Sequence, residues 1–85
     1  MDSIIILGIN VKEGFSESVK LQYLLTKYGG IIRTRLGLHE VAEDHAKPGG
    51  LIILELDGEA KEILNIENEL LTLKGVEIQK MTFSK

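Results

Sequence analysis

The sequence predicts an α+β domain in which four strands and two helices follow the order β-α-β-β-α-β. Three observations carry this. Two stretches with helical spacing of apolar residues each lie between runs rich in β-branched residues. Glycines mark the ends of the runs, and only one connection is long and polar. The first and third strand runs are apolar on both faces, as the central strands of a sheet are when both faces are covered.

Residues 3–11 (Ser-Ile-Ile-Ile-Leu-Gly-Ile-Asn-Val) form the first strand, which stops at Lys12-Glu13-Gly14. Ile5, Leu7, Ile9 and Val11 fall on one face, and Ile4, Ile6 and Gly8 on the other. The spacing then predicts a helix over 16–28. Ser16 suits the N-cap, and Glu17 suits the first turn, where the helix dipole favours an acid. Phe15, Val19, Leu21, Leu24, Leu25 and Tyr28 make its apolar stripe. Gly29-Gly30 ends it, one of the pair in the left-handed position after the helix.

The second strand, 31–38, puts Ile32, Thr34, Leu36 and Leu38 on one face and Ile31, Arg33, Arg35 and Gly37 on the other. The polar stretch 39–50, closed by Pro48-Gly49-Gly50, reads as a long hairpin connection. Residues 51–56 form the third strand, ended by Asp57-Gly58. A second helix spans 59–73. Its stripe is Ala60, Ile63, Ile66, Leu70 and Leu73, widened by Leu64 and Leu71, with Glu59, Glu62, Glu67 and Glu69 on the outer side. Gly75 stops it. The last strand, 76–83, carries Val76 and Ile78 on one face and Met81 and Phe83 on the other.

Right-handed crossovers leave few ways to close such a chain. The expected result is a ferredoxin-like β-α-β-β-α-β sandwich: an antiparallel four-stranded sheet of order 4-1-3-2, with both helices on one face. That order places the two most apolar strands at the centre. The helix-free face is then expected to carry Ile4, Ile6, Ile31, Leu51 and Ile53, mixed with Arg33, Arg35 and Glu55. Large apolar patches are uncommon on monomers. This face is therefore expected to meet a second copy of the chain, most simply in a two-fold dimer or a higher homo-oligomer.

Eighty-five residues, 1–85, are expected to form a single domain, because so short a chain cannot divide its apolar content between two cores. A hydrophobic fraction of 44% and a charged fraction of 27% are ordinary for a globular domain. The absence of cysteine excludes disulfides, thiolate zinc sites and cysteine nucleophiles, and agrees with a cytoplasmic setting. No basic region precedes the apolar run 4–9, which is too short for a signal-sequence core or a bilayer span, so no membrane association is expected. A net charge of −3 argues against a broad phosphate-binding surface and hence against direct nucleic-acid binding.

The chemistry of enzymes is sparse. No GxGxxG turn, Walker loop or HExxH is present. Ser16 and Ser18 fit helix capping, and the central strands are aliphatic where an RNA-binding domain of this architecture would carry stacking aromatics. No nucleophile–base or acid–base pair stands out, so a non-enzymatic protein without a cofactor is expected.

Two polar features remain. Asn10 ends a central strand, and Gly14-Phe15-Ser16 lead into a helix whose first N–H groups can receive a carboxylate or other anion. Equally, Gly14 makes the turn and Ser16 the cap. Arg33 and Arg35 are read as anion partners for that site, or as ion pairs at a sheet rim. The second feature is His39-Glu40-Val41-Ala42-Glu43-Asp44-His45. His39, Glu43 and His45 offer nitrogen and oxygen ligands to a divalent transition metal. The histidines lack the i, i+4 spacing of a helical site, and a solvated acidic loop is the simpler reading.

The loop ending in Gly14, with Tyr28-Gly29-Gly30-Ile31-Ile32 entering the second strand, resembles an ACT-type regulatory domain. More narrowly, Ile6-Leu7-Gly8-Ile9, the run from Tyr28 through Arg33-Thr34-Arg35 to Leu36-Gly37-Leu38, Leu51-Ile52-Ile53-Leu54-Glu55-Leu56-Asp57-Gly58 and Leu73-Lys74-Gly75-Val76 are similar to the iron-only hydrogenase system regulators. The likeness covers nearly the whole chain and rests on structural glycines and aliphatic strands. It implies a stand-alone ACT-like domain, related in fold to the ligand-binding half of nickel-responsive repressors. Such domains pair through their sheets and bind small effectors at subunit interfaces. The first loop has Asn10 and Glu13-Gly14 where amino-acid-binding ACT domains have an acidic residue and a Pro-Gly pair. His39 and His45 do not reproduce a nickel-repressor ligand set. No DNA-binding arm accompanies the domain, so a transcriptional role would act through a partner. The resulting expectation is a non-enzymatic, homo-oligomeric module that senses a small-molecule effector through Asn10, Gly14, Phe15, Ser16, Arg33 and Arg35. The alternative is a divalent-metal-binding protein using His39, Glu43 and His45.

Overall fold

The computed structural model of the chain describes residues 3–12, 16–39 and 50–84. The elements are β1 (Ser3–Val11), α1 (Ser18–Lys27), a 3-10 turn (Gly29–Ile31), β2 (Ile32–His39), β3 (Gly50–Leu56), α2 (Ala60–Leu70) and β4 (Val76–Ser84). They form one antiparallel sheet of order β2-β3-β1-β4, which is the expected order read from the other edge. This is the ferredoxin-like sandwich. β1 is its pivot, paired with β3 from Ile5↔Leu56 to Val11↔Gly50 and with β4 from Ser3↔Ser84 to Val11↔Val76.

One face of the sheet meets both helices. Ile5, Leu7 and Ile9 of β1 and Leu54 and Leu56 of β3 pack with Leu21, Leu24 and Leu25 of α1, Ile31, and Ile63, Ile66, Leu70 and Leu73 from α2 and its exit. No polar or charged side chain is buried among the described residues. The core is therefore held by apolar burial alone, worth about 25 cal/mol per Å2 removed from water. No described helix is long and apolar enough to cross a membrane.

Several local expectations change. The helix α1 starts two residues later than Ser16, and its N-cap is Glu17, without a side-chain capping bond. Glu17 instead accepts the backbone N–H of Lys74 at 2.8 Å and pairs with Lys20 at 2.9 Å. It ties the start of α1 to the turn before β4, a use that a cap position alone would not suggest. Val19 is 83% exposed and leaves the apolar stripe, because two residues before Leu21 is the opposite side of a helix. Phe15 lies outside the described residues.

Neither Gly29 nor Gly30 takes a left-handed conformation. The chain continues into the 3-10 turn, where the Ile31 N–H donates to the Tyr28 carbonyl at 3.0 Å. Among the described glycines only Gly75, with φ 86°, needs the freedom that glycine provides. It redirects the chain from α2 into β4. The regular turns of α2 end at Leu70, although Leu73 remains in the core. Leu64 and Leu71 are exposed and do not widen its stripe.

The largest correction concerns β2. Ile32 pairs with Leu56, but Thr34 pairs with Glu55, so a bulge at Arg33 shifts the phase by one residue. Ile32 stays on the helix side, while Thr34 and Leu36 turn to the open side. Arg35, opposite Leu54, is on the helix side, where its guanidinium donates to Gln22 of α1 at 3.1 Å. Ile31, expected on the open face, is 7% exposed and belongs to the core. The alternation in β4 left its phase open; the register turns Val76 and Ile78 toward the core and sets Met81 and Phe83 opposite Ile6 and Ile4 on the open side.

Gly58 matters through space rather than conformation. A Cβ there would stand 2.8 Å from Cγ2 of the buried Ile31, whereas one at Gly30 would meet nothing within 4 Å. Gly58→Ala is expected to destabilise the fold by about 1–3 kcal/mol. Gly30→Ala is expected to change stability by less than about 1 kcal/mol in either direction. Urea unfolding followed by circular dichroism distinguishes the two.

Candidate functional site

The face of the sheet without helices is assembled by register. β1 contributes Ile4, Ile6, Gly8 and Asn10; β3 contributes Leu51, Ile53 and Glu55; β4 contributes Glu77, Gln79, Met81 and Phe83; β2 contributes Thr34 and Leu36. Cross-strand rows follow. Thr34, Glu55, Ile6 and Met81 lie in one row, Leu36, Ile53, Gly8 and Gln79 in the next, and Leu51, Asn10 and Glu77 in a third. Leu36, Met81 and Phe83 are each at least half exposed (50%, 54% and 50%), and Ile4, Ile6 and Ile53 are partly shielded by their neighbours.

The polar groups on this face are Thr34, Glu55, Asn10, Glu77 and Gln79, and its two carboxylates are met by neutral donors and keep their charge. The Thr34 hydroxyl donates to Glu55 at 2.9 Å, and the Asn10 amide donates to Glu77 at a long 3.4 Å. Among the residues in register here there are two carboxylates and no cation. A hollow of about 310 Å3 lies over Gly8, walled by Asn10, Leu51, Glu77 and Gln79.

A second hollow, of about 330 Å3, lies on the other side of the molecule between the end of α1 and the start of α2, lined by Lys27, Tyr28, Gly30, Ile31, Asp57, Gly58 and Glu62. Glu62 is already engaged, since it accepts the backbone N–H of Glu59 at 3.1 Å in a capping box. Beside it the Tyr28 hydroxyl donates to the Glu69 carboxylate, and Lys27 Nζ donates to the same group at 2.9 and 3.2 Å. Those hydrogen bonds, from Tyr28 and then Lys27, hold the Glu69 carboxyl below its ordinary range. The bond to Glu69 in turn raises Tyr28 and Lys27 above theirs. This triad joins the end of α1 to α2.

Of the residues proposed from sequence that are described, Asn10 and Arg33 lie against opposite ends of β3. Asn10 lies on the open face, at the end of β1 that meets Leu51. Ser16 is exposed and caps nothing. Arg33, in the bulge, faces Asp57 at 3.6 Å, at the opposite end of β3 from Asn10's partner. Glu55 accepts from Thr34, while Arg33 and Arg35 reach Asp57 and Gln22. Gly14 and Phe15 lie outside the described residues, as do Glu43 and His45 of the metal alternative. His39 closes β2 opposite Gly50. Among the described residues no group of three or more His, Asp or Glu is placed to hold a metal. The sequence places Gly8 with Ile4 and Ile6 but does not show Leu36, Glu77 and Gln79 as their neighbours. Leu36 was hidden by the bulge, and the β4 residues by a register that alternation alone does not set.

No family model matches the chain, and no curated protein matches it. Solved structures do. The uncharacterized protein TM1266 from Thermotoga maritima is similar over 95% of this chain and 96% of its own, with a TM-score of 0.70 and 18% identity. CPII from Thiomonas intermedia K12, solved with ADP, AMP and acetate, is similar over 98% of this chain and 90% of its own, with a TM-score of 0.57 and 12% identity. LarC2, the C-terminal domain of a cyclometallase involved in synthesis of the lactate racemase cofactor, is similar over 98% of this chain and 57% of its own, with a TM-score of 0.56 and 11% identity. At these identities the likeness establishes the fold.

The triad at Glu69 makes a pH-dependent contribution with a defined sign. A carboxyl whose folded-state pKa is depressed stabilises above the ordinary carboxylate range, and that contribution is lost as pH falls through the folded-state value. Tyr28 and Lys27, both raised, contribute below their ordinary values and lose that contribution as pH rises through the folded ones. Glu69→Gln is expected to flatten both limbs of the stability–pH curve. Urea midpoints measured from acid to strongly alkaline pH check it; limbs as steep as in the parent protein refute the assignment.

Proposed function

We propose that this protein is a non-enzymatic, small-molecule-sensing regulatory module of the ACT-like kind, acting as a homo-oligomer whose subunits meet through the open sheet face. The observation that carries this reading is the apolar character of that face: seven aliphatic, thioether or aromatic residues, Ile4, Ile6, Leu36, Leu51, Ile53, Met81 and Phe83, stand on it in register. A face so composed is stable in water when it is covered. Its two carboxylates and lack of a cation in register disfavour a polyanionic partner.

The family resemblance narrows the role to that of an iron-only hydrogenase system regulator, with any transcriptional effect passing through a partner. The structural likeness to CPII supports an effector reading, since that protein of similar architecture holds adenine nucleotides and acetate. The architecture itself hosts many functions, so the effector is to be found by experiment. Asn10 stands on the open face and would lie at that interface, where effectors of such modules sit.

Sedimentation velocity is expected to show a dimer or larger species at micromolar concentration. Leu36→Glu, which would bury an unpaired carboxylate at the interface, is expected to weaken association by at least about 100-fold while leaving the monomer folded. A thermal-shift screen is expected to find stabilisation by amino acids or adenine nucleotides and none by divalent metals. A monomer at all concentrations would remove the assembly reading, and stabilisation by metals alone would favour the His39 alternative.

A further inference from the structure

Gly8 lies in the middle of β1, a strand hydrogen-bonded on both sides, in a run that is otherwise aliphatic from Ile4 to Ile9. No contact among the described residues requires glycine there. Its φ is not positive, and a Cβ would meet only the Gln79 carbonyl oxygen, at 3.8 Å, an ordinary contact. Glycine in a strand interior costs stability relative to alanine. There it marks a bulge, a bend, or a place where a ligand or another backbone comes close. The register with β3 and with β4 passes position 8 without a shift, which sets the bulge aside. The space above Gly8 is part of the hollow of about 310 Å3, and the walls of that hollow are mostly polar: Asn10, Glu77 and Gln79, with Leu51 the one apolar side chain. Such walls suit a ligand that makes hydrogen bonds.

The polar wall has a defined pattern. The Asn10 amide donates to Glu77 at 3.4 Å, a long bond that uses one of its two N–H groups. That bond leaves the amide a second N–H and the carboxylate further lone pairs, so a donor and an acceptor stand side by side. Gln79, opposite Gly8, brings another amide to the rim. We propose that the hollow over Gly8 binds a planar heterocycle of the adenine or cytosine type, in which an exocyclic amino group adjoins a ring nitrogen with a lone pair. The amino group donates to Glu77, the ring nitrogen accepts from Asn10, and the ring lies over the Gly8 backbone with Leu51 at its edge. The pairing follows known chemistry: amide side chains match the amino group and adjacent ring nitrogen of adenine, and carboxylates accept from the cytosine amino group. A volume of about 310 Å3 is at the lower end of small-molecule sites, which run to about 1,000 Å3, and suits a single ring system. A side chain at position 8 would stand between the ring and the strand, which accounts for the glycine. The inference rests on the small-molecule-sensing reading above and names the chemical class of the ligand.

The test is isothermal titration of the full chain with adenosine, cytidine, inosine, uridine and AMP. Inosine and uridine carry a carbonyl beside an N–H where adenosine and cytidine carry an amino group beside a bare nitrogen, so their donors and acceptors are exchanged. Adenosine or cytidine is expected to bind at least about tenfold more tightly than its deaminated counterpart. Glu77→Ala and Gly8→Val are each expected to weaken that binding about tenfold or more while the circular dichroism spectrum is kept. Gly8→Ala, whose added carbon has room among the described residues, is expected to weaken it about threefold, and it decides the matter should the valine variant fail to fold. Equal binding of adenosine and inosine overturns the proposal, as does binding that is indifferent to Glu77→Ala and to the Gly8 variants. Binding of AMP without adenosine or cytidine would place recognition in the phosphate and overturn it too. If no nucleoside binds while another small molecule raises the thermal midpoint, the assignment of the hollow is refuted and the sensing reading stands. If no small molecule stabilises the protein, both fall.

Discussion

The organisation of this protein depends on one constraint: two adjacent strands carry apolar side chains on both faces, while the two helices can cover only one. β1 and β3 pair at the centre of the sheet, and their alternate residues Ile5, Leu7, Ile9, Leu54 and Leu56 are almost fully removed from water by the helices. The residues between them, Ile4, Ile6, Leu51 and Ile53, have the same chemistry and no such cover. A sequence selected only for monomer stability would place polar residues there, as antiparallel sheets with one wet face usually do. The core and the open apolar face are therefore written on the same two strands.

That constraint also explains how much was legible beforehand. β1 reads as a strand because its run is aliphatic and largely β-branched on both faces and stops at Lys12-Glu13-Gly14. The helical stripes at Leu21, Leu24 and Leu25 and at Ile63, Ile66 and Leu70 repeat at the helical period, so both helices could be placed from spacing alone. β2 was different. Its alternation assumes that the pleat is unbroken, and the bulge at Arg33 breaks it, moving Leu36 and Thr34 to the open face together. No residue in Ile32-Arg33-Thr34 announces a bulge; it follows from Ile31 being drawn into the core by the 3-10 turn while Thr34 bonds to Glu55. A one-residue change of phase exchanges every side chain between faces, which is why the two arginines part company.

The candidate site shows the same division. Asn10 could be assigned to the end of a central strand from its position after Ile9, and the structure puts it on the open face. Its neighbour Glu77 comes from the last strand, 67 positions away in sequence, and only the pairing Asn10↔Glu77 unites them. Capping was misjudged for a related reason. Ser16 has the right chemistry for an N-cap, but Glu17 finds a better long-range partner in the backbone of Lys74, and the helix begins after it. The Glu17 carboxylate thus serves an N–H of the turn before β4, and the first N–H groups of α1 have no side-chain cap.

The two sides of the molecule divide their work by polarity. On the helix side, charged residues bind the layers together: Lys80 reaches Glu67 at 3.0 Å, Lys27 and Tyr28 share Glu69, and Arg35 reaches Gln22. Charges spent in this way are not free to recognise a ligand. On the open side, the carboxylates are each met by a neutral donor, and the face offers projections at the edges of the sheet and a recess at its centre. Shape complementarity over a modest area gives specificity only when the approaching surface is rigid and close. The chemistry-poor character of this chain is thus consistent with a module whose output is a change in how its copies, or their partners, fit together.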